Sequence, residues 1–300
     1  MTKQYREDVM FRPEDLDSID STLYEPKEEE LVVRNLINVK TDVDPGAESY
    51  SYDVITRRGA AKIIAPGADD VPLVETDLQR HTVQIYSIAS AFKIYLQELR
   101  AAQKAGRNLD TTKADVARKT IAEKENKLAW VGDDKHNISG LTNATGIQTF
   151  TVEEGDEEET EWEDKTGTEI IKDLRQARAK VNKLPGHNAD TLVLPPEKAE
   201  KLEEPVSEYD TRPIREYLES VGWFDNIEVT TDLEGRGDGD SDCFLVFDSS
   251  PEVMELLVPM DITRHDEEYK FPYFKVPVEE RTGGVIIRYP MAICRADGIG

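Results

Sequence analysis

The stretch ELRAAQKAGRNLDTTKADVARKTIAEKENKLAWVGD, Glu98 to Asp133, decides how the chain is read. Ala114, Ala117, Ile121 and Leu128 recur at intervals that place them along one side of an α-helix. Asp115 stands three residues after Thr112, a capping-box spacing, so the helix is predicted over about 112–130 and closes at Trp130-Val131-Gly132-Asp133. Small alanines on its inner side call for close packing against a sheet or another helix. Glu123 and Lys127, four apart in the favourable order, add about 0.3 kcal/mol. Upstream, Leu78, Ile85, Ile88, Phe92, Leu96 and Leu99 also recur at helical spacing, which predicts an earlier long helix from Thr76-Asp77 to Gly106. Downstream, His136 to Gly146 reads as a loop.

Further toward the N-terminus, SYSYDVITRRGAAKIIAPGADDVP, Ser49 to Pro72, holds two short β-rich runs on either side of Arg57-Arg58-Gly59 and leaves through Pro66-Gly67. These runs carry too few large apolar residues to fill a core. The hairpin is then either a surface excursion or an arm laid on a neighbouring molecule. LVVRNLINV, Leu31 to Val39, fits a strand or one or two helical turns and is closed by Asp44-Pro45-Gly46. Residues 1–30 are charged and aperiodic, broken by Pro13 and Pro26, and read as an extended arm.

Toward the C-terminus, a strand at Ile147 to Val152 runs into TVEEGDEEETEWED, an acidic tract read as a solvated loop. A helix from Glu169 to Leu184, a buried strand TLVLPP from Thr191, short helices near Glu197 and Pro213, and strands at Ile227 to Thr230 and Cys243 to Phe247 form an α/β lobe over roughly 165–250. The end, EEYKFPYFKVPVEERTGGVIIRYPMAICRADGI, is β-rich. Pro272 and Pro277 predict that its first run is an edge or irregular strand. Gly283-Gly284 turns into the better strand VIIRY.

The chain has 62 Asp and Glu against 37 Lys and Arg, a formal net charge of −25 on 300 residues. Such self-repulsion opposes compaction in dilute buffer, whereas molar salt shortens the screening length to roughly 3 Å. The composition therefore points to a concentrated-salt interior. With 38% hydrophobic residues in periodic segments the chain can build a core, which argues against a disordered acidic polymer. No basic stripe offers phosphates a footprint. Cys243 and Cys294 have no metal spacing and are expected reduced in a core. The N-terminus lacks the apolar segment of a signal peptide and no run of about 18 apolar residues occurs, so neither export by that route nor a membrane contact is expected.

No nucleophile elbow, phosphate-binding loop or dinucleotide fingerprint is legible, so no catalytic residue and no cofactor is assigned. The best metal candidates are Asp238, Asp240 and Asp242 in GRGDGDSD, which imitate the start of a calcium loop. The imitation fails where Cys243 replaces the Gly of the sixth position and Ser249 the Glu of the twelfth. Arg236-Gly237-Asp238 is a tripeptide that a flexible Gly/Asp loop explains. His136 lies beside Asp133 and Asp134 but has no second His nearby, and His81, His187 and His265 are equally isolated.

In its order of arm, hairpin, helices, α/β lobe and β-rich return, the chain resembles the major capsid proteins of tailed viruses, with the α+β Hong Kong 97-like fold. Glu98 to Asp133 looks like the helix pair that leads through that family's spine helix into its Gly-Asp turn. HNISGLTN, His136 to Asn143, resembles the segment that follows, and RTGGVIIRYPMAICRADGIG, Arg281 to Gly300, looks like the closing strand of the peripheral domain in the capsid and encapsulin branch.

The resemblance implies an N-terminal arm (1–44), an extended β-hairpin loop (45–75), a peripheral domain (76–164, spine helix about 112–130), an axial α/β domain (165–250) and peripheral return strands (251–300). It implies self-assembly into pentamers and hexamers of an icosahedral shell around double-stranded DNA, bound without sequence specificity, in a virion assembled in the cytoplasm of a halophilic, haloarchaeal host. Scaffold, decoration and portal proteins are the further partners implied; with some 45 residues before the hairpin, any scaffold is expected to be a separate chain. Arg57, Arg58 and Lys62, rare cations near the hairpin tip, are expected to meet carboxylates of the next subunit. The alternatives are an encapsulin-type compartment of the same fold and, from another class, a halophilic metal-dependent enzyme using the GRGDGDSD aspartates.

Overall fold

The computed structural model describes residues 32–63, 73–98, 100, 109–156 and 159–300. The charged segment 1–30 read as an arm, the Pro66-Gly67 exit and the end of the predicted helix at Gly106 lie outside them.

The predicted helix 112–130 is present as Leu109–Trp130. Ala117, Ile121, Glu125 and Leu128 are buried one turn apart, and Ala129 and Trp130 close the series. Its first part packs on a sheet through Phe92, Ile94, Val276 and Val278. Its last residues enter a separate core with Leu141, Leu245 and Ile293. One rigid rod thus ties the long sheet to the centre. Gly132, at φ 76°, then lets Gly132–Asp133 pair with Ile138–Ser139.

Most of the helix predicted from Thr76 does not form; strands Glu75–Gln84 and Tyr86–Tyr95 stand there instead, and helical backbone begins only at residue 96. The apolar residues of the second strand satisfy two periods at once. Tyr86, Ile88, Ser90, Phe92 and Ile94 alternate with exposed residues, and burial follows that period of two. The β-branched and aromatic content favours the strand, and a partner strand is available to complete it.

That partner is Tyr273–Thr282, paired with Tyr86–Tyr95 over ten residues and, on its other side, with Glu268–Lys270 and Met260–Arg264. The expectation that Pro277 confines this run to an edge is therefore corrected. The Pro277 carbonyl accepts from His265 N–H at 3.0 Å, so the missing proline N–H faces the break between the two short flanking strands. The reciprocal bond to the His265 carbonyl, which a proline cannot donate, falls at that gap, where the ladder is already interrupted.

The α/β lobe is built on a five-stranded sheet in the order Gln148–Thr151, Ile293–Asp297, Cys243–Phe247, Thr191–Leu194, Asn226–Val229. Cys243–Phe247 is buried at every residue, as a strand covered on both faces must be. Phe244 and Val246 face a core shared with Ile170, Leu174, Ala177 and Val181 of the helix Gly167–Asn182. Leu245 and Phe247 face the central core. Arg281 to Gly300 does not close as one peripheral segment. Gly284–Ile287 joins Met254–Leu257 and Val39–Lys40, whereas Ile293–Asp297 crosses into the lobe sheet. The acidic tract is not wholly solvated either, because Trp162 is fully buried against Phe244 with ring centroids 5.3 Å apart.

The ambiguous LVVRNLINV segment resolves into one helical turn, Val33–Leu36, and the short strand Val39–Lys40. Val32, Val33, Leu36 and Ile37 sink into the central core.

Candidate assembly surface

Two strands leave the body as a ribbon. Ser49–Arg58 and Glu75–Gln84 pair antiparallel over ten couples, from Ser49 opposite Gln84 to Arg58 opposite Glu75. The return strand is thus the segment predicted as helix, and the hairpin runs beyond the predicted boundary at residue 75.

Its base is anchored. Val43, Ala47, Tyr50 and Tyr52 pack on Ile85, Leu257 and Ile286. The Tyr52 hydroxyl donates to the Ile287 carbonyl at 3.0 Å, and the Arg288 guanidinium lies 5.8 Å from the Tyr52 ring centroid. Arg288 is itself paired with Glu255. Burial pushes the Tyr52 hydroxyl above its ordinary pKa, which keeps it a neutral donor.

Beyond the base the ribbon has no second layer. One side carries Ser51 and Thr82, their hydroxyls 2.8 Å apart, then Asp53 held by two bonds from Arg80 at 2.8 and 3.0 Å, then Ile55 opposite Leu78. The other side carries Tyr52 stacked on His81 at 5.5 Å. Arg80 holds the Asp53 carboxyl below its usual range, but the pair is open to solvent and screened by it. Ile55 is 51% exposed and Leu78 61%; Leu73 and Val74 near the outer end reach 87% and 68%. A two-stranded ribbon is at best marginal in water, and apolar side chains gathered on one are unfavourable until something covers them. Asp53, Val54, Ile55, Arg288 and Tyr289 line an open groove of about 490 Å³ beside it.

Arg57 and Arg58 fall at the far end of the ribbon, opposite Thr76 and Glu75; their side chains lie outside the described residues. Lys62 is exposed just past that strand. Leu78 escapes the sequence reading because helical spacing puts it in the predicted helix, which hides its place opposite Ile55. With the register known, the pair Ile55 and Leu78 is the legible signal.

The other candidates do not converge. Asp238–Asp240 forms a tight turn with Gly239 and Asp240 at φ 69° and 62°. Asp242 turns back to the chain, its Oδ1 accepting the Gly235 N–H at 2.9 Å. Among the described residues, no group of three or more His, Cys, Asp or Glu is arranged to hold a metal ion. The alternation of carboxylates in sequence needs a looped backbone to become a cage, and the turn separates them instead. His136 pairs locally with Asp133 at 3.2 Å and meets the Tyr86 ring edge-on. Cys243 and Cys294 are free, buried thiols, each pushed up to about 12 by burial, and inert as nucleophiles.

Residues 59–299 match the major capsid protein family. The chain belongs to it. Among solved structures, the family's fold is shared with the capsid of Myoviridae phage XM1, at a TM-score of 0.80 and 13% identity over 97% of this chain and all of that one. The virus-like particle from Pyrococcus furiosus superposes at a TM-score of 0.63 with 16% identity, covering 88% of this chain and 92% of its own. A curated relative, a diheme-cytochrome-encapsulin shell fusion protein of Kuenenia stuttgartiensis, is 25% identical over 139 residues, 46% of this chain and 38% of that protein. The match therefore spans well under half of that relative's length. The α+β fold of this family member is the Hong Kong 97-like capsid fold.

Proposed function

We propose that the chain is the major capsid protein of a tailed virus, and that its pentamers and hexamers form an icosahedral shell around double-stranded DNA. The observation that carries this reading is the hairpin ribbon: ten paired residues deep, with the exposed apolar pair Ile55 and Leu78 toward its outer end, and without a layer of its own to cover it. In a shell the next subunit supplies that layer, as an obligate interface resembles a core cut in half. Within it, the part of the predicted arm before residue 32 acts as an arm, the hairpin reaches across to the neighbour, the lobe over 165–250 with the closing strand faces the capsomer axis, and the long sheet with the helix Leu109–Trp130 forms the periphery. Arg57, Arg58 and Lys62 pair with carboxylates of the neighbour. The excess of 25 negative charges suits a halophilic, haloarchaeal host, whose cytoplasm is the place of assembly. Scaffold, decoration and portal proteins are the further partners that this reading implies.

A compartment of the same fold is the second reading, favoured by the stretch of 139 residues similar to an encapsulin shell fusion protein. Electron microscopy of the assembly purified in molar salt separates the two. Tailed, DNA-filled particles support the capsid; small DNA-free shells holding a cargo protein support the compartment; a monodisperse monomer defeats both.

A further inference from the structure

Arg34 lies on the helical turn Val33–Leu36, where the chain enters the described body. Its Nε donates to Glu125 Oε2 at 2.7 Å, and its Nη2 to Glu125 Oε1 at 3.1 Å and to Glu280 Oε1 at 2.5 Å. Its Nη1 reaches Asp261 Oδ1 at 3.0 Å. One guanidinium thus joins three other elements: the long helix through Glu125, the strand Tyr273–Thr282 through Glu280, and the strand Met260–Arg264 through Asp261.

The charges do not balance. Asp261 is open to water, but Glu125 is only 3% exposed and Glu280 not at all. Two buried carboxyls face one cation, and Glu280 Oε2 is buried without a hydrogen-bond partner. Among the described residues, the charged groups that act on Glu280 include no cation besides Arg34. Across the ladder, Tyr86–Tyr95 offers Ile88; the long helix offers Glu125; the strand Met260–Arg264 offers Asp261, whose carboxyl is itself stabilised by the charge of Arg118; the incoming turn offers Arg34. An uncompensated buried charge is relieved most directly by taking up a proton.

We propose that Glu280 carries a proton shared with Glu125, and that this proton, by removing the repulsion between the two buried carboxyls, lets both close on Arg34 and so latches the incoming segment 32–37 to the long helix and the long sheet. Burial, with the negative charge of Glu125 beside it, pushes the Glu280 carboxyl up to about 8 from an ordinary 4.5. Because the folded chain holds the proton after an unfolded chain would have released it, the latch is at full strength below pH 4.5 and weakens as pH rises, until it is lost above about 8. The device belongs to the subunit and stands whether or not the chain forms a shell.

Infrared titration of the full chain in molar salt tests it. A buried carboxylic-acid band that persists above pH 6, disappears with a midpoint near 8 and is missing from Glu280→Gln is expected; no such band, or its survival in that variant, overturns the proposal. Amide exchange tests the latch itself. After correction for intrinsic rates, protection of residues 33–37 should fall about thirtyfold between pH 6.5 and 9 in the wild type, each pH unit below about 8 corresponding to a factor of ten, and stay level in Glu280→Gln. Equal pH dependence in both overturns it. Should Glu280→Gln fail to fold, Glu125→Gln provides the second reading. Removal of the neighbouring charge should move the band's midpoint toward 4.5, and an unmoved midpoint defeats the shared proton.

Discussion

Buried ionic groups are where single residues matter most in this chain. Lys165 and Asp173 are both almost fully buried, 2.8 Å apart, and Trp162 Nε1–H donates to the same carboxylate oxygen at 3.2 Å. Lys165 also donates to the Glu153 carbonyl at 2.6 Å, which ties the acidic tract to the lobe. Lys165→Ala leaves a buried carboxylate without its cation and is expected to cost about 3–5 kcal/mol, read from the midpoint of urea unfolding in molar salt. Lys172→Ala, which removes the solvent-exposed pair with Glu153, should leave that midpoint where it is. Neither the Lys165 contacts nor the latch at Glu280 could be read from spacing. Arg34 and Glu280 are 246 positions apart, and only the packed fold brings them together.

At the scale of elements, periodicity worked where one period was possible. The lobe helix Gly167–Asn182 buries Ile170, Leu174, Ala177 and Val181, and the strand Cys243–Phe247 has the predicted bounds. It failed over Glu75–Tyr95, where alternation and helical spacing coincide and a long-range ladder decided between them. The long helix depends on its contact with that ladder. Ile121, 1% exposed, sits among Phe92, Val276 and Val278, and Ile121→Ala should destabilise the subunit by about 2–5 kcal/mol in the same unfolding experiment. The ribbon should behave in the opposite way. Ile55→Ser with Leu78→Ser removes exposed apolar surface, so the melting of the isolated subunit is expected to stay within about 0.5 kcal/mol, while sedimentation shows assembly lost. Charge reversal at Arg57 and Arg58 is expected to weaken assembly in the same assay, because the ends of the ribbon would then repel an acidic neighbour. Full-sized particles from either variant would mean that the ribbon does not carry the contact.

For the whole molecule, charge and topology pull in different directions. Two cores share the lobe sheet, one on each face, and the last strand, Ile293–Asp297, stands between Gln148–Thr151 and Cys243–Phe247. Chain closure thereby locks the lobe to the centre. Against this compact body stands a net charge of −25 on every copy. Assemblies held in molar salt are expected to loosen on dialysis to about 0.1 M, where the screening length lengthens to roughly 10 Å, and light scattering against salt concentration follows the change. Particles unchanged in salt-free buffer without divalent cations would remove charge repulsion as a control on assembly.

The sequence by itself determined the acid excess, the long helix over about 112–130, the α/β lobe and the family resemblance, because each is written in composition or in neighbours a few residues apart. Tertiary structure alone decided that Glu75–Tyr95 is strand, that Pro277 sits in a central strand opposite a gap, and that the final strand crosses into the lobe. It also decided that Glu280 shares one cation with Glu125. A strand's partners and a buried charge's neighbours are chosen by distant segments, and local periodicity carries no record of them.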